Sequence, residues 1–416
     1  MKQKTVPRRG FLKTIALAAG PLILPTGAFG RDGLPGANSK LVTGHIGVGT
    51  RGRQLLAQLQ ANCGAVCDVD SERLRLGAGL TSAGTRAYAD YREILERKDI
   101  DAVVIATPDH WHAAQAVHAC EAGKDVYLET PVCRSPIAAR ALLRATARFG
   151  TVLQTGTMAR CTPAFAAVRQ WVAENGPITE AHCWGLPAPA LRAEQIELPP
   201  TSLRWEAWLG PAPARPYAHA FVEDGWRWRL DYGGGQIMRQ GAQLFECVFA
   251  ALDVSLDTNI KVTATGTAPT DGGDCPQPFS VTIELEKPAL KLTWSQEPPA
   301  GQSAPGFELR SEKGALAARG LGLDMAVDVT VMDKLPEEQR RKVAEPLKDW
   351  LGTVERRATP AATLSHGILA ATAASLANLS YRLGRPLAWD HATGACANDD
   401  LANRMLAEPG SGPWRI

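Results

Sequence analysis

The sequence predicts an α/β protein: a doubly wound parallel sheet, followed by an α+β region with a mostly antiparallel open sheet. Three observations carry this expectation. From Lys40 to about Thr157, apolar strand-like runs alternate with stretches of helical period. A glycine-rich turn joins the first apolar run to the first helical stretch. From about Ala164 the character changes, and residues 259–296 and 306–318 alternate as antiparallel strands with one solvated face require.

The strands expected in the first part are Leu41–Gly47, Ala65–Val69, Ala102–Thr107, Asp125–Glu129 and Thr151–Gln154. Between them, apolar residues at helical spacing mark Arg51–Gln60, Tyr91–Arg97, Ala113–Ala122 and Ile137–Arg148. A helix over Phe165–Glu174 then leads into a Trp- and Pro-rich region, the turn Asp231–Gly235 and a helical stretch to Leu252. Ile260–Thr265, Ser280–Glu286, Leu290–Trp294 and residues 306–318 alternate as strands. Two helices follow, Glu337–Thr353 and an Ala-rich one from Ala361 to Leu383. Gly384 and Pro386 stop the second, which is expected to pack back onto the first domain. The chain's 416 residues hold two domains at ~100–200 residues each. Their expected extents are 40–157 and 158–416.

Residues 1–30 carry Lys2, Lys4, Arg8, Arg9 and Lys13 and no acid, then an apolar run and a small-residue stretch. That order is an export signal, and the run is too short for a membrane span. Pro7-Arg8-Arg9-Gly10-Phe11-Leu12-Lys13 resembles the twin-arginine signal with proline at its first position. A Gly/Pro/Asn linker, residues 31–39, follows. The whole chain has a net charge of +2; without the five basic residues of the signal, 40 basic side chains face 43 acidic ones, a net −3. The basic balance belongs to the signal, so no nucleic-acid partner is expected. Nine scattered cysteines, most within apolar runs, read as free thiols, and Cys63 and Cys67 have no second pair or nearby histidine to complete a metal site.

Gly47-Val48-Gly49-Thr50-Arg51-Gly52 fits G-x-G-x-x-G, and Asp68 ends the next strand 21 positions after Gly47. Gly47 permits the tight turn, Gly49 lets backbone approach a pyrophosphate, and Gly52 permits close helix–strand packing. Thr50 and Arg51 open the helix whose N-terminus offers free N–H groups to the phosphates. Asp68 is suited to a ribose 2′-hydroxyl and repels a 2′-phosphate. The expected cofactor is therefore NAD, with Arg73 near enough to admit NADP.

Further motifs extend the match. They are Ala65-Val66-Cys67-Asp68-Val69-Asp70, Ala106-Thr107-Pro108-Asp109-His110-Trp111-His112-Ala113 and Gly123 to Pro131. Gln154-Thr155-Gly156-Thr157, Trp208-Leu209-Gly210-Pro211, Asp231–Gly235 and Pro413-Trp414 complete the set. Together they resemble the glucose–fructose oxidoreductase / inositol dehydrogenase / MocA (Gfo/Idh/MocA) family. The resemblance implies an N-terminal Rossmann domain and a C-terminal α/β domain that shapes a sugar site and often an oligomer interface. Thr107, Pro108, His112 and Glu129 join the cofactor residues on that basis.

The family's usual proton-transfer set is a lysine in Glu-Lys-Pro and an Asp and His four apart after the Gly-Gly-Gly turn. Here Glu-Lys-Pro reads Glu129-Thr130-Pro131, the Asp position is Arg239 and the His position is Gln243. None of these three titrates usefully near neutral pH, so the family's acid–base machinery does not carry over. His110 and His112 are alternative bases, or a helix cap and a structural hydrogen bond. Trp111, Thr130, Arg160, Arg239 and Gln243 are the expected substrate-pocket residues. The two arginines suit a uronate or other acidic sugar. Glu246 and His366 read as structural, and His219 as a weak ligand contact. Six of the eleven tryptophans, at 171, 184, 205, 208, 226 and 228, suit a sugar cleft and a packed core equally.

Three functions remain open on the sequence. The first is an exported NAD(P)-dependent oxidoreductase acting on a carbohydrate or cyclitol with a remodelled acid–base site. The others are an NAD-assisted glycoside hydrolase or lyase, and a non-catalytic cofactor- or sugar-binding member.

Overall fold

In the parallel sheet, β1 (Thr43–Ile46), β4 (Ala102–Ile105) and β5 (Asp125–Leu128) are buried along their whole length, so they read as apolar runs rather than alternating ones. The computed structural model describes residues 40–189, 195–223, 225–269, 273–277, 279–406 and 414. The expected signal and linker, residues 1–39, lie outside the described residues, and Val42–Ile416 pack as one unit. With β2 (Cys63–Cys67), β3 (Arg86–Tyr88) and β6 (Leu153–Thr155), the strands order β3-β2-β1-β4-β5-β6, every pairing parallel. The order reverses between β1 and β4, which opens a crevice at their C-terminal ends.

Helices α1 (Thr50–Leu59), α2 (Ser71–Ala78), α3 (Tyr91–Leu95), α4 (Asp109–Glu121) and α5 (Pro136–Phe149) connect these strands. The sequence reading had neither β3 nor α2. β3 is three largely exposed residues, and α2 buries only Gly77, so neither leaves an apolar period. α2 is held by its ends and by closeness instead. The Asp70 carboxylate accepts from the Glu72 N–H at 2.9 Å, and a Cβ on Gly77 would press into Val48 at 2.7 Å. α4 begins at Asp109, four residues before the expected Ala113, because Pro108 sets the chain direction at its N-cap.

Among the described residues the second sheet has nine strands. They are β7 (Glu180–Trp184), β8 (Ile260–Gly266), β9 (Phe279–Leu285), β10 (Leu290–Ser295), β11 (Gly306–Ser311), β12 (Gly314–Arg319), β13 (Ala326–Val327), β14 (Leu387–Asp390) and β15 (Ala395–Cys396). They order β13-β12-β11-β7-β10-β9-β8-β14-β15, antiparallel except where β7 pairs with β10. In β8, Ile260, Val262 and Ala264 point inward while Lys261, Thr263 and Thr265 face out, the alternation of a sheet with one solvated face.

Further helices include α6 (Pro163–Asn175), the short α7 (Trp205–Leu209) and α8 (His219–Glu223), α9 (Ala242–Ala251), α10 (Pro346–Arg356) and α11 (Leu364–Leu383). The single helix expected over Glu337–Thr353 is broken into a turn at Glu337–Arg340 and α10. Pro346 causes the break: it has no N–H to continue a preceding helix and serves as the first residue of a new one.

α11 runs between the two sheets. Leu364, Ile368 and Ala371 pack in the core beneath the parallel sheet, and Leu369, Ala373 and Leu376 in the other. The small residues matter: a Cβ on Gly367 would sit 2.9 Å from Thr155 Cγ2.

Glu246 on α9 is the polar tie at this junction. It accepts from Arg160 Nη1 at 2.8 Å, Thr155 Oγ1 at 2.5 Å and Thr157 Oγ1 at 2.7 Å. Arg160 also donates to the Ala361 carbonyl at 3.0 Å, and its side chain is 4% exposed. Arg160 therefore does not line the substrate pocket, contrary to the sequence expectation. A guanidinium taken out of water needs a carboxylate, and Glu246 occupies it from inside the fold. His366 completes the cluster, with Nδ1 against Thr363 Oγ1 at 2.9 Å; burial and then Arg160 push its pKa down to about 4. Replacing Glu246 with Ala strands the buried Arg160, so the free energy of unfolding in chemical denaturation should fall by about 3–5 kcal/mol.

Candidate active site

The turn after β1 is shaped by crowding. Gly47 has φ +82°, and a Cβ there would lie 2.8 Å from the Thr107 N. A Cβ on Gly52 would collide with the Gly47 carbonyl oxygen, so only glycine lets α1 start this close to the strand. Gly49, the N-cap of α1, has only the Arg73 guanidinium within reach of such a Cβ, at 3.2 Å, so its backbone faces open space. These three positions form a cradle that fits a pyrophosphate against a helix N-terminus.

A cleft of about 360 Å³ runs from this cradle along the strand ends. Gly47, Gly49, Thr50, Arg51, Asp68, Thr107, Pro108, His112 and Glu129 all line it; Gly52 lies beneath, as its packing role requires. Asp68 accepts from the Val48 and Asp70 N–H groups, both at 3.0 Å, which fixes it at the tip of β2. Burial raises its pKa, partly opposed by those donors and Arg73. Arg51 Nε donates to Glu129 Oε1 at 2.9 Å, joining the glycine turn to the end of β5. His112 is held between carbonyl oxygens, Pro131 at 2.7 Å from Nδ1 and Thr107 at 2.9 Å from Nε2. Burial lowers its pKa against those two carbonyls, which favour the charged ring.

His110 does not line the cleft. Its Nε2 lies 2.9 Å from the Trp208 carbonyl oxygen, which also accepts from Trp111 Nε1 at 2.9 Å. Burial pushes its pKa down to about 3, so it stays neutral and structural. Trp111 lines the cleft but is wedged edge-on to Tyr91 and Trp414, with centroids 5.7 and 4.9 Å away.

Part of the tryptophan-rich region roofs the dinucleotide side of this cleft. The Ser71 N–H donates to the Ser202 carbonyl at 2.9 Å, the Arg204 N–H to the Val69 carbonyl at 3.1 Å, and Arg73 Nη2 to the Val222 carbonyl at 3.1 Å. Leu203, Arg204, Ala207, Trp208, Val222 and Trp226 thus face the cleft beside Asp68 and Asp70. Trp205, Trp208, Tyr217, Phe221, Trp226 and Tyr232 pack as a separate apolar cluster that stiffens the roof. Of the six tryptophans only Trp208 and Trp226 reach the cleft; Trp171 packs in the core of the second sheet.

Thr130, Arg239 and Gln243 also line the cleft, with Asp109 and Arg227. Arg239 and Gln243 are one turn apart, Gln243 Nε2 donating to the Arg239 carbonyl at 2.9 Å. Thr130 and Arg239, 109 positions apart in sequence, line one cleft, with α9 docked against β6 through Glu246.

This geometry has close counterparts. Residues 42–157 match the model of an oxidoreductase family with an NAD-binding Rossmann fold, and residues 184–278 match its C-terminal alpha/beta domain. The chain belongs to the Gfo/Idh/MocA family. An inositol 2-dehydrogenase of Rubrobacter xylanophilus is 31% identical over 146 residues, 34% of this chain and 42% of that protein. A glycosyl hydrolase family 109 protein of Shewanella pealeana is 31% identical over 152 residues, 30% of this chain and 33% of that protein. The chain thus spans less than half the length of these curated relatives. In fold it is similar to the WlbA dehydrogenase from Bordetella pertussis, solved in complex with NADH and UDP-GlcNAcA. The TM-score is 0.61 at 16% identity, over 83% of this chain and 98% of that one.

In this Gfo/Idh/MocA chain the sequence does not mark Asp109, Arg227, Leu203, Arg204 or Val222 as site residues, whereas Trp208 and Trp226 are among the tryptophans it offers for a cleft. Asp109 stands inside the Thr107–His112 motif, where residue type alone does not separate a buried acid from a solvated one at a helix start. The roof residues carry no period and are joined to β2 only by tertiary contacts. Asp68→Ala should weaken NAD binding about 10- to 100-fold by calorimetry, the loss of a charge-assisted hydrogen bond worth about 1.5–3 kcal/mol.

Proposed function

We propose that this chain is an exported NAD-dependent oxidoreductase acting on a carbohydrate or cyclitol that carries an acidic group. The observation that carries the reading is the single cleft that joins the glycine cradle and Asp68 to Thr130, Arg239, Gln243 and Arg227. A bound dinucleotide supplies hydride exchange at that cleft. Thr130 and Gln243 offer neutral hydrogen bonds to hydroxyls, whereas Arg239 and Arg227 supply fixed positive charge and donors matched to a carboxylate. The expected signal at residues 1–30 supports export, and the three replaced family positions support chemistry remodelled from the usual set.

The roof favours a second reading, an NAD-assisted glycoside hydrolase or lyase. Backbone hydrogen bonds on both sides of Asp70 close the dinucleotide side, which suits a cofactor kept through turnover rather than exchanged. Denaturing the purified protein and assaying the released nucleotide tests retention; a nucleotide-free protein that binds no added NAD overturns both readings. With cofactor present, uronates and neutral sugars are compared by NADH absorbance, and aryl glycosides by aglycone release. NADH formation supports the first reading, and aglycone release without net NADH the second. Arg239→Ala should raise KM for a uronate about tenfold or more, the loss of a charged hydrogen bond, and change KM for a neutral sugar little. Equal effects on both would remove the acidic-substrate assignment.

A further inference from the structure

Five carboxylates line the cleft: Asp68, Asp70, Asp90, Asp109 and Glu129. Four are committed. Asp68 takes two backbone N–H groups, Asp70 caps α2, Asp90 holds Arg92, and Glu129 holds Arg51. The Tyr91 hydroxyl and the His112 ring are committed too: the Tyr91 hydroxyl lies 2.7 Å from His118 Nδ1, and both ring nitrogens of His112 lie against carbonyls. Asp109 differs. It is 8% exposed, lines the cleft, and its carboxylate makes no hydrogen bond to any described residue. An acid in the first turn of a helix is ordinarily a solvated partner of the helix dipole; this one is mostly buried in the cleft wall, with no donor among the described residues.

We propose that Asp109 is the proton-transfer residue of this site, replacing the family's missing lysine, aspartate and histidine. The proposal rests on the redox reading above. In the oxidation direction the Asp109 carboxylate takes the proton of the substrate hydroxyl as that O–H bond breaks. Its electron pair becomes the second bond of the new carbonyl, while the C–H pair leaves as hydride to NAD⁺. The proton then passes from Asp109 to water, and the reverse direction runs through the protonated acid.

Burial pushes the Asp109 pKa up to about 8. Arg227, Arg134 and Arg239 oppose that rise, and Glu129 adds to it. A group poised there changes protonation near neutral pH, as acid–base catalysis requires. The carboxylate form prevails above about 8, so oxidation should gain with pH up to that point and then level off, and reduction should decline above it. Because the folded-state pKa lies above the unfolded one, this group opposes folding increasingly as pH rises from the ordinary aspartate range to about 8. An amide in its place removes that penalty.

The test compares wild type, Asp109→Asn and Asp109→Glu in three measurements. These are NAD⁺ affinity by quenching of tryptophan fluorescence, sugar oxidation from pH 6 to 10 as NADH absorbance, and thermal unfolding at pH 9.5. Asp109→Asn should bind NAD⁺ within about twofold of wild type, lose roughly 100-fold or more in kcat, lose the pH step, and unfold at a higher temperature. Asp109→Glu should recover part of the rate, with the step displaced. An Asp109→Asn protein that keeps its rate within about tenfold and keeps the step overturns the assignment and leaves the redox reading standing. So does one that unfolds at a lower temperature while binding NAD⁺ less well, since that is the mark of a structural residue. A wild type that binds NAD⁺ but reduces none with any sugar overturns the redox reading, and Asp109 with it.

Discussion

A carboxylate and a guanidinium removed from water between two sheets govern the geometry of this molecule. Glu246 takes Arg160, Thr155 and Thr157 at once, so the end of the parallel sheet cannot drift relative to α9. Arg239 and Gln243 stand two turns and one turn before Glu246 on the same helical run, and their position over the cleft is inherited from that anchor. Buried pairs add little net stability, yet breaking one is costly. Their value here is register: the two halves of the cleft are built by different sheets and have to meet at a defined place.

The same economy of polar groups runs through the cleft. Nearly every acid and histidine in it is engaged by the fold, holding a turn, a helix end or the roof. Arg51 with Glu129 and His112 between two carbonyls fix the ends of β4 and β5 beside the glycine turn. Among the acids and histidines that line it, Asp109 alone makes no hydrogen bond to a described residue. The site is legible by subtraction, since a side chain occupied by the fold is a poor partner for substrate.

Much of this was visible in the sequence, and the reasons differ by element. The glycine turn and Asp68 were legible because their constraints are local: a tight turn, a close helix and a strand end within about twenty residues. The buried strands and α11 were legible by apolar run length. β3 and α2 were not, since elements held by caps and edge pairing leave no apolar period. The helix over Glu337–Thr353 was drawn too long because helical spacing outweighed Pro346. Arg160 was misplaced for a deeper reason: residue type says what a guanidinium can bind, not which carboxylate has already taken it.

By itself the sequence determined the fold class, the nicotinamide-dinucleotide site and the family. These follow from local sterics and side-chain chemistry, which a few adjacent positions specify. Only the tertiary structure decided that Arg160 is internal, that Leu203, Arg204, Trp208, Val222 and Trp226 roof the cofactor side, and that Asp109 makes no hydrogen bond to a described residue. Those facts depend on burial and on which groups are already paired. Both are properties of surfaces brought together from distant parts of the chain, where desolvation sets the energy of each charge.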